Sequence, residues 1–135
     1  MASGLSSWRA LAPHFLSLLR LIAGLLLLEF GTMKIFHFPY SDFFAGVPPF
    51  SLFWIAGLFE LVGGALVAVG LFTRPAAFIL AGEMAFAYFI EHEPRGFYPA
   101  LNEGLPAVLF CFVFLYLSAA GGGPWSLDRI VRRVG

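Results

Sequence analysis

The sequence predicts an all-α integral membrane protein: one four-helix bundle over residues 1–135, with both termini cytoplasmic. Three observations carry that expectation. Of the 135 residues, 60% are hydrophobic and 12% charged, against about half and about a quarter in a soluble domain; the mean hydropathy is +0.87. Four apolar stretches, at roughly 14–36, 49–72, 75–91 and 104–120, each approach the ~20 residues that cross a bilayer as a helix. The cations sort by side. Arg9, Arg74, Arg129, Arg132 and Arg133 fall on one side, and Arg95 and, at the end of its span, Lys34 fall opposite with Asp42, Glu91, Glu93 and Glu103. The positive-inside rule makes the first side cytoplasmic, in a bacterial-type inner membrane.

Composition also excludes. Eight Lys plus Arg balance eight Asp plus Glu, so the basic field that a nucleic-acid partner needs is missing. A water-soluble enzyme and a disordered tail are excluded by the apolar content. The lone Cys111 allows no intrachain disulfide, iron–sulfur cluster or dithiol centre, and is expected to be a buried small side chain.

Each span has its punctuation. Pro13 opens the first, which lacks a small-x-small cleavage site and continues into Glu29-Phe30-Gly31-Thr32-Met33-Lys34, so it is not a signal peptide. Pro48 and Pro49 open the second. Thr73 is the expected N-cap of the third, with Pro75 in its first turn; this span is short unless its ends are buried or it runs on to Glu93. Asn102 is expected to cap the fourth, with Pro106 inside it, and Gly121-Gly122-Gly123-Pro124 stops it. The runs carry Leu, Ala and Gly without strict alternation, which argues against β-structure. The outer loop His37–Pro49, rich in Phe, Pro and Tyr, should fold back on the membrane surface. Trp8 and Trp125 form an inner aromatic belt, and Tyr40, Trp54, Tyr88 and Tyr98 an outer one.

Arg20, Glu29, Lys34, Glu60 and Glu83 lie within the spans. Each costs a few kcal/mol in hydrocarbon unless paired or hydrated. At 1.5 Å per residue, Arg20 sits roughly 9 Å, Glu60 roughly 18 Å and Glu83 roughly 12 Å from the inner ends of their spans. The three are therefore expected to meet, one guanidinium between two carboxylates. Arg20, Gly24, Leu27, Gly31 and Lys34 share one helix face, whose glycines indicate close packing; Ala56, Gly57, Glu60, Gly63 and Gly64 form a similar face on the second span. Glu29 points the other way, to another helix or the outer headgroups. A shallower layer of Lys34, Glu29, His92 and Glu103 would complete a polar track. The charges either build a ligand site or only staple the helices in register. His14, His37 and His92 lack metal-ligand spacing, so no metal site is expected. No nucleophile elbow, phosphate loop or dinucleotide fingerprint occurs. The seventeen Phe are core or lipid-facing fill, though Phe-rich walls also suit a quinone-like ring.

In order and spacing the chain resembles the DoxX family of small four-helix membrane proteins over almost its whole length. The matching pieces are Leu19-Arg20-Leu21 through Gly24, then Gly31 and Lys34; Glu60-Leu61-Val62-Gly63-Gly64; Gly70-Leu71-Phe72-Thr73-Arg74; Gly82-Glu83-Met84-Ala85; His92 with Pro94 and Phe97; Pro99 with Asn102; and Gly123-Pro124-Trp125-Ser126-Leu127-Asp128. Two pieces depart: Phe30-Gly31 stands where the family pattern resembles His-Gly, and Asn102-Glu103-Gly104-Leu105 where it resembles Asn-x-Gly-Glu. Both changes fall in the outer polar layer, where Glu29 and Glu103 are the candidates to compensate. The resemblance implies relatives that are subunits of quinone-linked sulfur oxidation, members of oxidative-stress complexes or, more distantly, assembly chaperones; fold alone does not choose among these.

Two readings follow. In the first, a polar intramembrane pocket serves quinone-linked redox chemistry as a subunit or helper. Arg20 and Lys34 hold an anionic or carbonyl oxygen of a small hydrophobic or anionic ligand, with Glu29 and Asn102 in the binding set. Glu60 or Glu83 moves a proton and His92 passes it outward. Gly24, Gly31, Gly63, Gly64, Arg74 and Asp128 are structural. No cofactor is intrinsic; a quinone or a redox protein partner in the bilayer would carry electrons. In the second, the protein is a non-enzymatic accessory or assembly subunit of a larger membrane complex. A small transporter is a weaker third, because four short spans show no inverted repeat.

Overall fold

A computed structural model describes residues 2–132, which leaves Arg133 outside the described residues. Helix α1 runs Ala2–Arg9, α2 Ala12–Ile35, α3 Leu52–Val69, α4 Thr73–Ala87 and α5 Leu105–Ala120, with no strand among the described residues. A π-helical turn, Tyr88–His92, continues α4 into a 3-10 turn at Glu93–Arg95, and a second π-helical turn spans Asp128–Arg132. The four apolar stretches fall on α2 to α5. The short α1 has no apolar run to announce it.

Gly4–Ile35, which contains α2, and Leu52–Val69 are long and apolar enough to be candidate membrane spans. Helices α4 and α5, with 15 and 16 residues, are shorter than the ~20 that cross hydrocarbon unaided. The outward surfaces are nonetheless those of a protein in lipid. Ile22, Val62, Phe78 and Phe112 are all more than half exposed, whereas soluble monomers rarely carry contiguous apolar patches of that extent.

Helix α2 packs most extensively on α3, and α4 on α5; α3 meets α4 over a smaller seam and α2 touches α5 lightly. Glycines explain the first pairing. A Cβ on Gly24 would lie 2.5 Å from Ala68 N, one on Gly31 2.6 Å from Leu61 N, and one on Gly64 2.8 Å from Leu28 N. The two backbones are therefore in contact and antiparallel, held at a single register. Gly63 serves the other seam, where an added Cβ would lie 2.9 Å from Leu80 Cδ2 of α4. Leu27, Val67, Ala77, Leu80, Phe114 and Leu117 form the core where the pairs meet. Cys111 is half-buried at the edge of this core rather than inside it.

The helix ends differ from the expected caps. Ser51, not the prolines before it, caps α3 by accepting from Trp54 N at 3.3 Å. Gly70 ends α3 in the left-handed region (φ 76), with its N–H on Val67 O and the Leu71 N–H on Leu66 O, a Schellman motif. Thr73 is the first residue of α4 and not its cap. The capping is done by Asp128, whose carboxylate accepts from Phe72 N at 2.7 Å and Thr73 N at 2.9 Å. An acid there also meets the positive end of the helix dipole. Gly121 (φ 82) ends α5, and the following segment lies as a strap across the ends of α2, α3 and α4. Ser17 Oγ donates to Gly122 O at 3.0 Å and accepts from Trp125 N at 3.1 Å, and Asp128 N donates to Gly70 O at 2.8 Å.

Two stability effects follow. Gly24→Ala lowers the thermal unfolding transition in detergent by an amount equivalent to about 1–3 kcal/mol, as overpacking does. Gly82→Ala, where an added Cβ meets nothing within 4 Å, does not lower it. Asp128→Ala costs about 0.5–2 kcal/mol, the range for a lost cap, and raises amide exchange at Phe72 and Thr73.

Candidate functional site

The glycine register decides which charges meet. Gly31 lies against Glu60 and Leu61, and Gly57 against Lys34 and Ile35, so Lys34 reaches Glu60. Lys34 Nζ is 2.8 Å from both Glu60 oxygens. The two side chains are 10% and 1% exposed, so this is a buried, doubly bonded ion pair.

The expected meeting of Arg20 with Glu60 and Glu83 does not occur. Arg20, 2% exposed, lies at the opposite end of the α2–α3 seam. Its Nη1 donates to Val67 O at 3.1 Å and Ala68 O at 3.0 Å, and Nη2 donates to Trp125 O at 2.6 Å. It donates to carbonyls of the last turn of α3, Val67 O beside the Gly70 N–H and Ala68 O, where the helix dipole favours a cation, and ties them to the strap; Asp128 is the carboxylate facing it. The inner ends of the two spans do not share one level: the glycine contacts set Glu60 opposite Gly31, eleven residues and thus ~16 Å beyond Arg20.

Glu83 does join Glu60. It is the carboxylate beside Glu60, with Lys34 as the nearby cation, and both of its oxygens are buried without a hydrogen-bond donor. The outer polar layer is brought together in part. A cavity of about 220 Å³ opens at this end, with Lys34 and Glu60 in its lining and His92, Arg95, Glu91 and Glu103 among its other polar groups. Its walls include Phe30, Phe43, Phe44, Phe53 and Phe110. The Lys34 ammonium stands 5.3 Å from the Phe44 ring centre and 5.9 Å from that of Phe53, within cation–π range. Phe44 meets Phe30 and Phe53 edge-to-face at 6.4 and 6.2 Å. The His37–Pro49 loop thus folds back to supply two walls.

Two expected ligand groups lie elsewhere. Glu29 is exposed, on the face of α2 turned from Lys34, and does not line the cavity. Asn102, 2% exposed, is spent inside its own loop. Its Oδ1 accepts from Gly104 N at 2.8 Å, and its Nδ2 donates to Gly96 O at 2.6 Å and Tyr88 Oη at 3.3 Å. Gly104, not Asn102, is the N-cap of α5. The Tyr88 hydroxyl donates to Phe97 O, and His92 Nδ1 lies 3.0 Å from Asn102 O, so the π-helical turn is pinned where His92 reaches the cavity. Arg74 is exposed in the first turn of α4. Sequence reasoning passed over Glu91 as a site residue, and Ser17 and Ser126 as strap anchors. A buried serine amid leucines was the one available signal for Ser17, which is 1% exposed.

The comparisons with known proteins agree with one another. A family model described as DoxX matches residues 15–93. A Haemophilus influenzae protein described as uncharacterized is 40% identical over 124 residues, covering 87% of this chain and 90% of that one. An uncharacterized membrane protein of Mycobacterium tuberculosis is 30% identical over 149 aligned positions, covering 94% and 90%. No solved structure gives a significant match.

The geometry ranks three substitutions. Lys34→Met leaves two neighbouring carboxylates without their cation and costs about 3–5 kcal/mol, as breaking a buried pair does. Glu60→Gln costs less, because Lys34 can turn to Glu83. Glu29→Gln stays within about 0.5 kcal/mol. Chemical or thermal unfolding of the three purified variants in one detergent gives the order.

Proposed function

The chain belongs to the DoxX family of membrane proteins, and from that premise and the outer cavity we propose that it binds a quinone-like ring as a subunit or helper in quinone-linked redox chemistry. The observation that carries the reading is the union of phenyl walls with one buried ammonium. A cavity of about 150 Å³ takes benzene, so 220 Å³ suits one substituted ring. Edge-to-face phenyl contacts hold such a ring. Lys34 has three N–H donors and gives two to Glu60, which leaves one for a ring carbonyl oxygen. No side chain in the chain is a standing electron carrier, so electrons would pass between the ring and a partner protein.

The same reading sets the protein in a bacterial-type inner membrane with four crossing helices and both termini inside. Arg9, Arg74 and Arg129 then share the strap end, and the cavity opens outward; this follows the positive-inside rule. The π-helical turn after α4 lengthens the third crossing. In this arrangement Arg20, Asp128 and Arg74 serve the inner end only.

A second reading, an accessory or assembly subunit, draws on an apolar groove of about 410 Å³ between α3 and α4, lined by Ile55, Phe59, Val62, Leu66 and Ile79 among others. A neighbouring membrane helix could cover it.

Calorimetric titration of the purified protein with a short-chain ubiquinone analogue separates the two. On the first reading the parent binds, and Phe44→Ala weakens binding by about tenfold, since a well-placed aromatic contact is worth about 1–1.5 kcal/mol. Arg20→Lys, far from the cavity, binds like the parent. No binding by the parent, or equal binding by Phe44→Ala and Phe53→Ala, contradicts the ring pocket and leaves the second reading.

A further inference from the structure

We propose that Glu83 is a proton-binding carboxyl with its own small cavity, and that Glu91 is the group through which its proton exchanges with the outer water. Glu83 stands in the middle of α4, and neither of its buried oxygens receives a donor. It borders a second cavity of about 60 Å³, shared with Lys34, Ala56, Phe86 and Glu91 among others. Water occupies ~30 Å³ per molecule, so the space admits about two. Glu91 and Lys34 are the ionisable residues that line both this cavity and the larger one.

The groups facing Glu83 define its state. Glu60 comes from α3 and Lys34 from α2, and Glu91 borders the cavity from the π-helical turn. The ionisable residues of α5 are Cys111 and Tyr116, neither of which lines the cavity. The Lys34 ammonium gives two donors to Glu60. Two carboxylates therefore share one cation in apolar surroundings, and charge balance calls for one proton. Glu60 has its ion pair; Glu83 has no donor and is the place for the proton. As an acid Glu83 gains an O–H, and the Glu60 carboxylate beside it is the acceptor.

This deepens the ring-pocket reading, on which the destination of the proton rests. A proton leaving Glu83 passes to Glu60, which lines the larger cavity, and from there to a ligand oxygen. One from outer water, relayed by Glu91 across the small cavity, replaces it. Only O–H bonds are made and broken. The relay runs through Glu91 because Glu91 lines both cavities, whereas His92 lines only the larger one.

The proton site is tested without any ring. Dicyclohexylcarbodiimide, an apolar reagent that couples to protonated carboxyls shielded from water, is applied to the full chain in lipid nanodiscs, and adducts are mapped by mass spectrometry. The expected result is an adduct at Glu83 that diminishes as pH rises and is lost in Glu83→Gln, a variant that keeps a donor for Glu60. If that variant fails to fold, the parent decides: an adduct on Glu83 with that pH response supports the site. Absence of a Glu83 adduct, or one that ignores pH, overturns it. Either outcome leaves the ubiquinone titration free to succeed or fail by itself.

Discussion

The close approach of two helix backbones, α2 on α3, is the constraint from which the rest follows. In lipid no hydrophobic force drives helices together, so the contact rests on van der Waals packing that only small residues permit. Gly24, Gly31 and Gly64 leave no room for a side chain, and a slip of the register would drive a Cβ into a backbone. Once the register is fixed, Lys34 has no other course than toward Glu60, and Arg20 none but toward the end of α3.

The buried charges then divide by end. At the strap end they are structural. Arg20 reads helix carbonyls, and the strap that follows α5 is anchored to α2 through Ser17, to the end of α3 through Gly70 and to the start of α4 through Asp128. At the other end the same class of residue is left over from packing: Glu83 without a donor, and a phenyl-walled cavity above the ion pair. The two ends thus differ in how their buried charges are satisfied: by hydrogen bonds at the strap, and by one ion pair beside a carboxyl without a donor at the other end. Light contact between α2 and α5 leaves room for that cavity.

Much of this was legible in the residues. Apolar runs and prolines located α2 to α5 within a few residues, because both signals are local. Facing was legible too, since Arg20, Gly24, Gly31 and Lys34 recur at helical spacing. Depth was not: it depends on how two helices slide past each other, and the assumed span ends misplaced Arg20 against Glu60. Long-range caps were equally hidden, because Asp128 acts on Thr73 from 55 residues away. Local capping rules instead favoured Thr73 and Asn102. The phenyl walls of the cavity came partly from a loop whose Phe43 and Phe44 carry no periodicity.

The register claim has a direct measure in two double-mutant cycles of unfolding free energy, Lys34→Met with Glu60→Gln and Arg20→Met with Glu60→Gln. The account predicts a coupling of about 1–3 kcal/mol for the first and none beyond about 0.5 kcal/mol for the second, as for residues in contact and residues apart. Strong coupling of Arg20 to Glu60 with none between Lys34 and Glu60 would contradict it.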